Sequence, residues 1–273
     1  MSFFLYLILV LLILFPAKVS SAVLEASQLW FMTLLPVLYP SLICLDLISL
    51  TPLTQKISSL LFPIFKKLFA VEDKNSCYLI LLSVLCGAPA STKLIQQAIE
   101  QKQISVEEGK RLICVFSNLS LPFCSIICRA FGYSFLLYYL VFFLSAVLFL
   151  HFGKKNKSTF GKSIPSKENY LSCFMRSIPK NTTIVLNILG ILIVFRVLIG
   201  LFFDASFLFY PYLEILGGFS QKPSPVIFYS ALNFLGFSIH LQIYSIYSAI
   251  SYRDFLFARL FFTLTGLILG FCY

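Results

Sequence analysis

The sequence predicts an all-α, polytopic membrane protein in which a single membrane domain covers residues 1–273. Hydrophobic residues make up 59% of the chain and charged residues only 12%, and the mean hydropathy is +0.92. Such values are typical of proteins whose main solvent is lipid. Apolar runs of about 20 residues, the length of helix that crosses a bilayer, recur from end to end. Because small and polar residues interrupt two of these runs, we expect about six to eight transmembrane helices plus two broken, re-entrant helical segments.

The apolar runs define the predicted helices in order. They cover residues 3–15, 29–50, 77–97, 112–131, 133–152, 182–203, 205–219, 225–248 and 255–272. The first run ends near small residues, as a cleaved secretory signal does, but no positive charge precedes it and further membrane segments follow. The sequence favours an uncleaved first helix that ends near Pro16.

The loop at residues 153–180 sets the expected orientation. It carries seven basic residues against Glu168 alone, and basic loops stay in the cytoplasm. We therefore expect this loop to be cytoplasmic. Nucleic-acid binding is a weaker interpretation, because aromatic stacking partners are not interleaved with the charges.

The loop charges also predict that residues 77–97 form a re-entrant segment. Counting back from 153–180 places the loop at 98–111 inside, and its "SVEE" at residues 105–108 is a capping box that starts a helix in water. Four lysines between 51 and 76 argue for the inside as well. A segment with both flanks on one side must turn back, and "GAPA" at residues 87–90 supplies the turn. A spanning helix with a proline kink is the alternative.

A weak internal match suggests an inverted repeat, with one half at about 29–152 and the other at about 181–273. At a shift of 149 residues, Gly87 lies opposite Gly236. The segment at 204–224 has few charges and is expected outside, so residues 225–248 would be a second re-entrant segment that enters from the opposite face. Inverted repeats with discontinuous helices are typical of secondary transporters.

Polar residues inside the apolar runs are the candidate site residues, because ionisable groups in hydrocarbon usually mark a function. The candidates for solute binding are Gly87, Ala88, Pro89, Ser91, Lys93, Asn118, Asn233, Gly236, Ser238, His240 and Gln242. Asp46 and Arg196 are candidate charge partners inside the membrane, and Asp46 can pair with either Lys93 or Arg196. His240 can equally be a packed core residue. Arg129 and Arg259 are expected to snorkel to an interface.

Other chemistry is not indicated by the sequence. The eight cysteines include no CxxC pair and lie mostly in apolar runs, where thiols act as small hydrophobes, so we expect no metal site and no disulfide. Neither HExxH nor a phosphate-binding loop is present. Asp46 is the only acid deep in an unbroken run and lacks a partner for acid–base catalysis. We therefore expect neither an enzyme nor a cofactor.

Four stretches of the sequence, taken in their order and spacing, carry a resemblance to a known family. They are "LWFMTLLPVLYPSLICLDLI" (29–48), "CGAPASTKL" (86–94) followed by "ISVEEGKRLICVFSNLSLPF" (104–123), "LEILGG" (213–218) and "NFLGFSIHLQIYSI" (233–246). With them the chain resembles the sporulation integral membrane proteins of the YlbJ type, members of the nucleoside-recognition Gate-domain superfamily. Gly87, Pro89 and Lys93 match the family's small-residue motif, whereas Cys86, Ala88, Ser91 and Thr92 depart from it.

The resemblance implies a transporter-like protein of the bacterial cytoplasmic or forespore membrane that moves a small anionic solute, dipicolinic acid, during sporulation. Half-helix N-termini at the two breaks would present free N–H groups to a carboxylate. Expected partners are the lipid bilayer, the solute, and a second copy of the chain or other spore membrane proteins, with no nucleic acid. The alternative is a non-transporting structural or assembly protein of the developing spore envelope. A transporter needs polar space at the breaks, whereas a scaffold fills it with apolar side chains.

Overall fold

The computed structural model describes residues 2–152, 169–203, 209–215 and 223–273. Within these ranges the chain is helical apart from short connections. The helices are α1 (Ser2–Leu14), α2 (Pro16–Leu29), α3 (Leu35–Ser49), α4 (Pro52–Phe69), α5 (Asn75–Cys86), α6 (Ala90–Glu100), α7 (Val106–Phe116), α8 (Leu121–Phe131), α9 (Phe135–Phe152), α10 (Tyr170–Phe202), α11 (Tyr210–Leu213), α12 (Pro225–Phe234), α13 (Gly236–Ile246) and α14 (Tyr252–Cys272). A π-helical turn, Trp30–Leu34, joins α2 to α3.

Five helical stretches are long and apolar enough to cross a membrane. They are Pro16–Ser49, Val106–Phe131, Tyr170–Phe202, Pro225–Ile246 and Tyr252–Cys272, while α5 and α9 are apolar but shorter. Large apolar side chains, including Phe257, Leu264 and Phe271 of α14, lie exposed along these stretches. Lipid is the solvent that such surfaces suit. The described chain thus has the composition and the helical architecture of an integral membrane protein.

The two longest helical stretches, α2–α3 and α10, pack side by side in opposite directions. The indole N–H of Trp30 donates to the carbonyl oxygen of Val185 at 3.0 Å, and Gly200 lies against Ala22. Both stretches begin earlier than the hydropathy pattern indicates. The first starts at Pro16 rather than 29, because polar residues in α2 lower its hydropathy.

The basic loop predicted at 153–180 does not extend to residue 180. Residues 170–180 already belong to α10, with Asn169 as N-cap, because its side chain accepts from the N–H of Leu171 at 3.3 Å. The remaining part of that prediction, residues 153–168, lies outside the described residues. Arg176 and Lys180 are therefore fixed on a helix rather than carried by a loop.

The first predicted break is present, and it reverses the chain. Residues 87–89 separate α5 from α6, and Gly87 has a φ of +65°. The side-chain amide of Asn75 donates to the carbonyl oxygen of Gln103 at 3.0 Å, and the hydroxyl of Tyr78 donates to the Gln103 side chain at 2.7 Å. Because the start of α5 meets the residues that follow α6, the pair is a hairpin, hereafter the α5–α6 hairpin.

The second predicted break is present but does not reverse the chain. Leu235 and Gly236 have φ values of +78° and +71° between α12 and α13. The start of α12 packs on the end of α14, where a Cβ on Gly270 would lie 2.4 Å from the Cα of Val226. The end of α13 reaches the start of α14 through residues 247–251. The expectation of a second hairpin at 225–248 is therefore not met. The one-residue break bends the helix, but α13 continues in the same overall direction as α12.

A third interruption, absent from our expectations, divides the predicted helix 112–131. Residues 117–120 separate α7 from α8, and the side chain of Ser120 accepts from the N–H of Phe123 to start α8. After α8 the chain returns along α9, since Arg111 of α7 donates to the carbonyl oxygen of Leu150 at 3.0 Å. Each of the two interrupted helices, α7–α8 and α12–α13, is thus followed by an antiparallel helix.

One end of the molecule carries residues 70–74 and 101–105, the start of α7, the end of α4 with Lys66 and Lys67, and the start of α10 with Arg176. We call it the basic end, because its basic residues outnumber its acidic ones. Glu108 joins these segments, because its Oε1 accepts from the hydroxyl of Ser76 at 2.5 Å and from the N–H of Glu72 at 3.1 Å. The capping box is present only in part. The Ser105 hydroxyl accepts from the N–H of Glu108 as predicted. The Glu108 carboxylate, however, accepts hydrogen bonds from Glu72 and Ser76 near the start of α5, and not from the start of its own helix.

Candidate functional site

A buried polar cluster joins α3, α6 and α10 about one turn below the basic end. Lys93 Nζ lies 2.5 Å from Asp46 Oδ1, and the two side chains are only 1% and 4% exposed. Gln97 donates to the same carboxylate oxygen at 2.9 Å, and Asn181 donates to Asp46 Oδ2 at 2.9 Å. Of the two partners that the sequence left open for Asp46, the structure selects Lys93. We refer to Asp46, Lys93, Gln97 and Asn181 as the carboxylate cluster.

Two cavities flank the carboxylate cluster. The first has a volume of about 300 Å³ and opens towards the basic end; its charged lining residues are Asp46, Glu100, Arg176 and Lys180. The second has a volume of about 320 Å³ and lies between α6, α10 and α13; it is lined by Lys93, Gln96, Lys180, Thr183, Ile184, Asn187, Ser245 and Ile246. Lys180 borders both. The second cavity therefore has two lysines and no acidic residue in its lining.

The turn of the α5–α6 hairpin packs directly against the break between α7 and α8. The N–H of Ala88 donates to the carbonyl oxygen of Asn118 at 2.6 Å, and the hydroxyls of Thr92 and Ser117 lie 2.8 Å apart. A Cβ on Gly87 would lie 2.2 Å from the nitrogen of Ser120. Gly87, Ala88 and Pro89 thus meet another interrupted backbone and do not line either flanking cavity.

The remaining small and amide candidates are buried close to the breaks. Asn118 donates to the hydroxyl of Tyr138 at 2.9 Å, and Asn233 donates to the carbonyl oxygen of Tyr229 at 2.9 Å. Several buried polar atoms have no hydrogen-bond partner in the described chain. Among the candidates these are the hydroxyls of Ser91 and Ser238, the Oδ1 of Asn233 and the Nε2 of Gln242. Such groups need water or a solute, because an unpaired buried polar group is costly.

His240 bridges the break at Leu235–Gly236. Its Nε2 lies 2.7 Å from the carbonyl oxygen of Phe234, which requires the proton on Nε2, and its ring packs against Phe234 and Phe255. Phe234 ends α12, where carbonyl groups lose their helical partners. Of the two interpretations that the sequence left open for His240, this geometry favours the packed core residue.

Arg259 contradicts the expectation that it reaches an interface. It is fully buried in α14, between the rings of Phe255 and Phe262, and donates through Nη2 to the carbonyl oxygens of Cys114 and Val115. Those carbonyls belong to the last turn of α7, ahead of the break. Arg259 therefore stabilises an interrupted helix, whereas Arg129 is exposed as expected.

Arg196 lies near the opposite end of α10. It donates to the hydroxyl of Tyr210 at 2.6 Å and forms an ion pair with Glu214 at 3.3 Å. A cavity of about 290 Å³ lies beside it, with Lys18 and Glu25 in the lining. Arg196 is 15 residues from Asn181, about 22 Å along a helix. It belongs to a separate polar group and is not a partner of Asp46.

Sequence reasoning missed several residues of this region. Gln97 and Asn181 of the carboxylate cluster, Lys180 of the cavities and the break at 117–120 were not candidates. A polar signal for the break exists in "SNLSLP", where two serines, an asparagine and a proline follow an apolar stretch. Comparisons with protein-family models, with curated proteins and with solved structures find no match to this chain. Any functional assignment therefore rests on the geometry of the chain and on the resemblance noted in its sequence.

Proposed function

We propose that this protein is a membrane transporter that moves a small anionic solute. The observation that carries the proposal is the second cavity, where Lys93 and Lys180 face a space without acidic residues. The side-chain amides of Gln96 and Asn187 offer hydrogen-bond donors around it, whereas the hydroxyls of Thr183 and Ser245 already donate to the carbonyl oxygens of Pro179 and Gln242. Two positive charges with neutral donors recognise carboxylates and similar anions. The cavity volume of about 320 Å³ suits a small molecule.

The proposed topology has six crossings and one re-entrant hairpin. The crossings are α2–α3, α7–α8, α9, α10, α12–α13 and α14, with α1 as a further apolar helix. The α5–α6 hairpin enters from the basic end and returns to it. By the positive-inside rule we place the basic end in the cytoplasm, together with residues 153–168, which the sequence predicts to be a loop. The membrane we propose is the bacterial cytoplasmic or forespore membrane.

We also propose an inverted repeat, in a register different from the one that the sequence suggests. A shift of 149 residues pairs Gly87, in a hairpin turn, with Gly236, in a crossing helix. A shift of 115 residues instead pairs Asn118 with Asn233 and the start of α8 with the start of α13. It relates α7–α8 and α9 to α12–α13 and α14. Since the two pairs run in opposite directions, this register suits the inverted repeats of transporters.

Uptake by proteoliposomes tests the function. Labelled dipicolinate, the solute implied by the sequence resemblance, is the first substrate, with phthalate and succinate as other dicarboxylates. We expect saturable uptake that protein-free vesicles lack. Lys180→Gln should reduce uptake about tenfold by removing a charge from the cavity. Lys67→Gln, which removes the same charge from the exposed face of α4, is the matched control. Uptake equal to that of protein-free vesicles for all three anions would reject the proposal.

A second candidate is a non-transporting structural protein of the spore envelope. The direct backbone contact between Ala88 and Asn118 favours it, because two breaks closed against each other leave no passage between them. The two candidates differ in what the cavity lysines do. A structural protein should tolerate Lys180→Gln without loss of function in spores, whereas a transporter should not.

A further inference from the structure

Lys93 poses a problem for anion binding, because it lines the second cavity but its side chain is only 1% exposed and its ammonium group is already neutralised by Asp46 at 2.5 Å. We propose that the solute carboxylate replaces the Asp46 carboxylate on Lys93, and that the displaced Asp46 takes up a proton. Each anion then moves together with one proton. This inference rests on the proposed function and adds its coupling ion.

The two sides of the ion pair are reached through different cavities. Asp46 lines the first cavity, which opens at the basic end, whereas Lys93 lines the second. A solute can therefore approach Lys93 while a proton reaches Asp46 from water on the other side. Lys180, which borders both cavities, supplies a second positive charge for a dianion.

The neighbours of Asp46 suit both protonation states. The ionised carboxylate accepts from Lys93, Gln97 and Asn181. A protonated carboxyl group needs an acceptor as well, and the Oδ1 of Asn181 is buried without a partner. Rotation of the Asn181 amide exchanges its donor and acceptor atoms. The same residue can thus donate to the carboxylate and accept from the carboxyl group.

The other charged groups around Asp46 are less suited to this role. On α6 these are Lys93, its partner, and Glu100, which is exposed, accepts from Gln96 at 2.7 Å and stays hydrated. On α10 they are Arg176 and Lys180, both basic, and the thiol of Cys173, whose sulfur lies 3.7 Å from the Asp46 carbonyl oxygen. Among the charged residues that line these two cavities, Asp46 is therefore the acid that is buried, has a cationic partner and borders a cavity that water can enter.

The charges and protons balance in this exchange. Without solute, the pair is an ammonium and a carboxylate. With solute, the ammonium holds the solute carboxylate, and the Asp46 carboxyl group carries one proton taken from water. No buried charge is left unpaired in either state, which a buried ion pair requires. Lowering the pH should therefore tighten solute binding by about tenfold per pH unit while Asp46 is ionised in the free protein.

The test uses proteoliposomes with a pH dye inside and labelled dipicolinate outside. The uptake and the pH change of protein-free vesicles are subtracted. We expect uptake by the wild type to acidify the interior. Asp46→Asn is neutral at every pH, so the number of protons that enter per dipicolinate taken up should fall by about tenfold or more, whatever the rate of uptake by the variant. Glu100→Gln is the matched control and should keep both activities.

The outcomes separate this inference from the proposed function. Dipicolinate uptake without internal acidification, or acidification that persists in Asp46→Asn, overturns the proton coupling and leaves transport intact. Absence of uptake for dipicolinate, phthalate and succinate rejects both. If Asp46→Asn does not fold, titration calorimetry of the wild type in two buffers of different ionisation enthalpy replaces it. Uptake of one proton per bound anion supports the inference, and no proton exchange contradicts it.

Discussion

The N–H of Ala88 donates to the carbonyl oxygen of Asn118 across 2.6 Å, and this bond joins the turn of the α5–α6 hairpin to the break between α7 and α8. Both segments have left the helical hydrogen-bond pattern. Lipid cannot satisfy such groups, so interrupted backbone at membrane depth must find its partners in protein or water. Here one interruption partly satisfies the other, which makes the hairpin turn and the α7–α8 break a single structural unit.

Substitution of Gly87 by alanine should disrupt this unit. The φ of +65° is unfavourable for alanine, and the added Cβ would lie 2.2 Å from the Ser120 nitrogen, a backbone atom that cannot yield without moving α8. We expect a loss of about 3 kcal/mol or more in stability, measured as a lower midpoint of thermal unfolding in detergent. Gly190→Ala is the control, because nothing lies within 4 Å of its Cβ position. Equal midpoints for the two variants would contradict the contact.

Replacement of Arg259 by lysine should also destabilise the protein, although it preserves the charge. The guanidinium reaches the carbonyls of Cys114 and Val115 through one nitrogen while it stacks between two phenylalanine rings. An ammonium group has neither the planar shape nor the reach. We expect a loss of about 2–4 kcal/mol in thermal unfolding. Arg129→Lys, at an exposed position of α8, should change the midpoint little.

The ion pair between Asp46 and Lys93 should show strong coupling in a double-mutant cycle. Asp46→Ala leaves the buried Lys93 ammonium without its counter-ion and should cost about 3–5 kcal/mol. In the double variant Asp46→Ala with Lys93→Ala, both charges are absent, so it should lose less stability than the sum of the losses of the two single variants. Thermal unfolding of the single and double variants provides the measurement. Additive losses would mean that the two side chains do not interact energetically.

Cysteine labelling should distinguish the hairpin from the interrupted crossing helix. In a background where the exposed Cys44 and Cys272 are replaced by serine, we expect Lys74→Cys and Gln101→Cys to react with a membrane-impermeant maleimide from the same face. Ser224→Cys, at the start of α12, should react from the other face. Labelling of positions 74 and 101 from opposite faces would contradict a re-entrant hairpin.

Much of the fold could be predicted from the sequence because hydropathy and turn chemistry are local properties. Five of the apolar runs lie in the five helical stretches that are long enough to cross a membrane, whereas the run at 205–219 has only α11 among its described residues. Gly87 with Pro89 and Gly236 marked two breaks where the structure has them. Helix boundaries were less predictable. Polar residues such as Lys18 and Arg176 lowered the hydropathy where α2 and α10 begin, although neighbouring helices, not local composition, stabilise these turns.

The direction of the chain after a break and the partners of buried charges could not be predicted, because both depend on tertiary contacts. Gly87 and Gly236 look alike in sequence, yet one precedes a reversal and the other a bend. Arg259 resembles a snorkelling residue until the carbonyls of α7 are placed beside it. In the site, Asp46 and Lys93 were foreseen as possible partners, but Asn181 and Lys180 come from a helix whose register against α3 and α6 is set only by packing.

Trp30 is the one tryptophan of the chain, and its indole N–H is bonded to the Val185 carbonyl where α2 meets α10. Its emission wavelength depends on how dry and how polar that contact is. The protein therefore carries an intrinsic optical reporter, without any added label, of whether its two longest helices separate when a ligand is supplied.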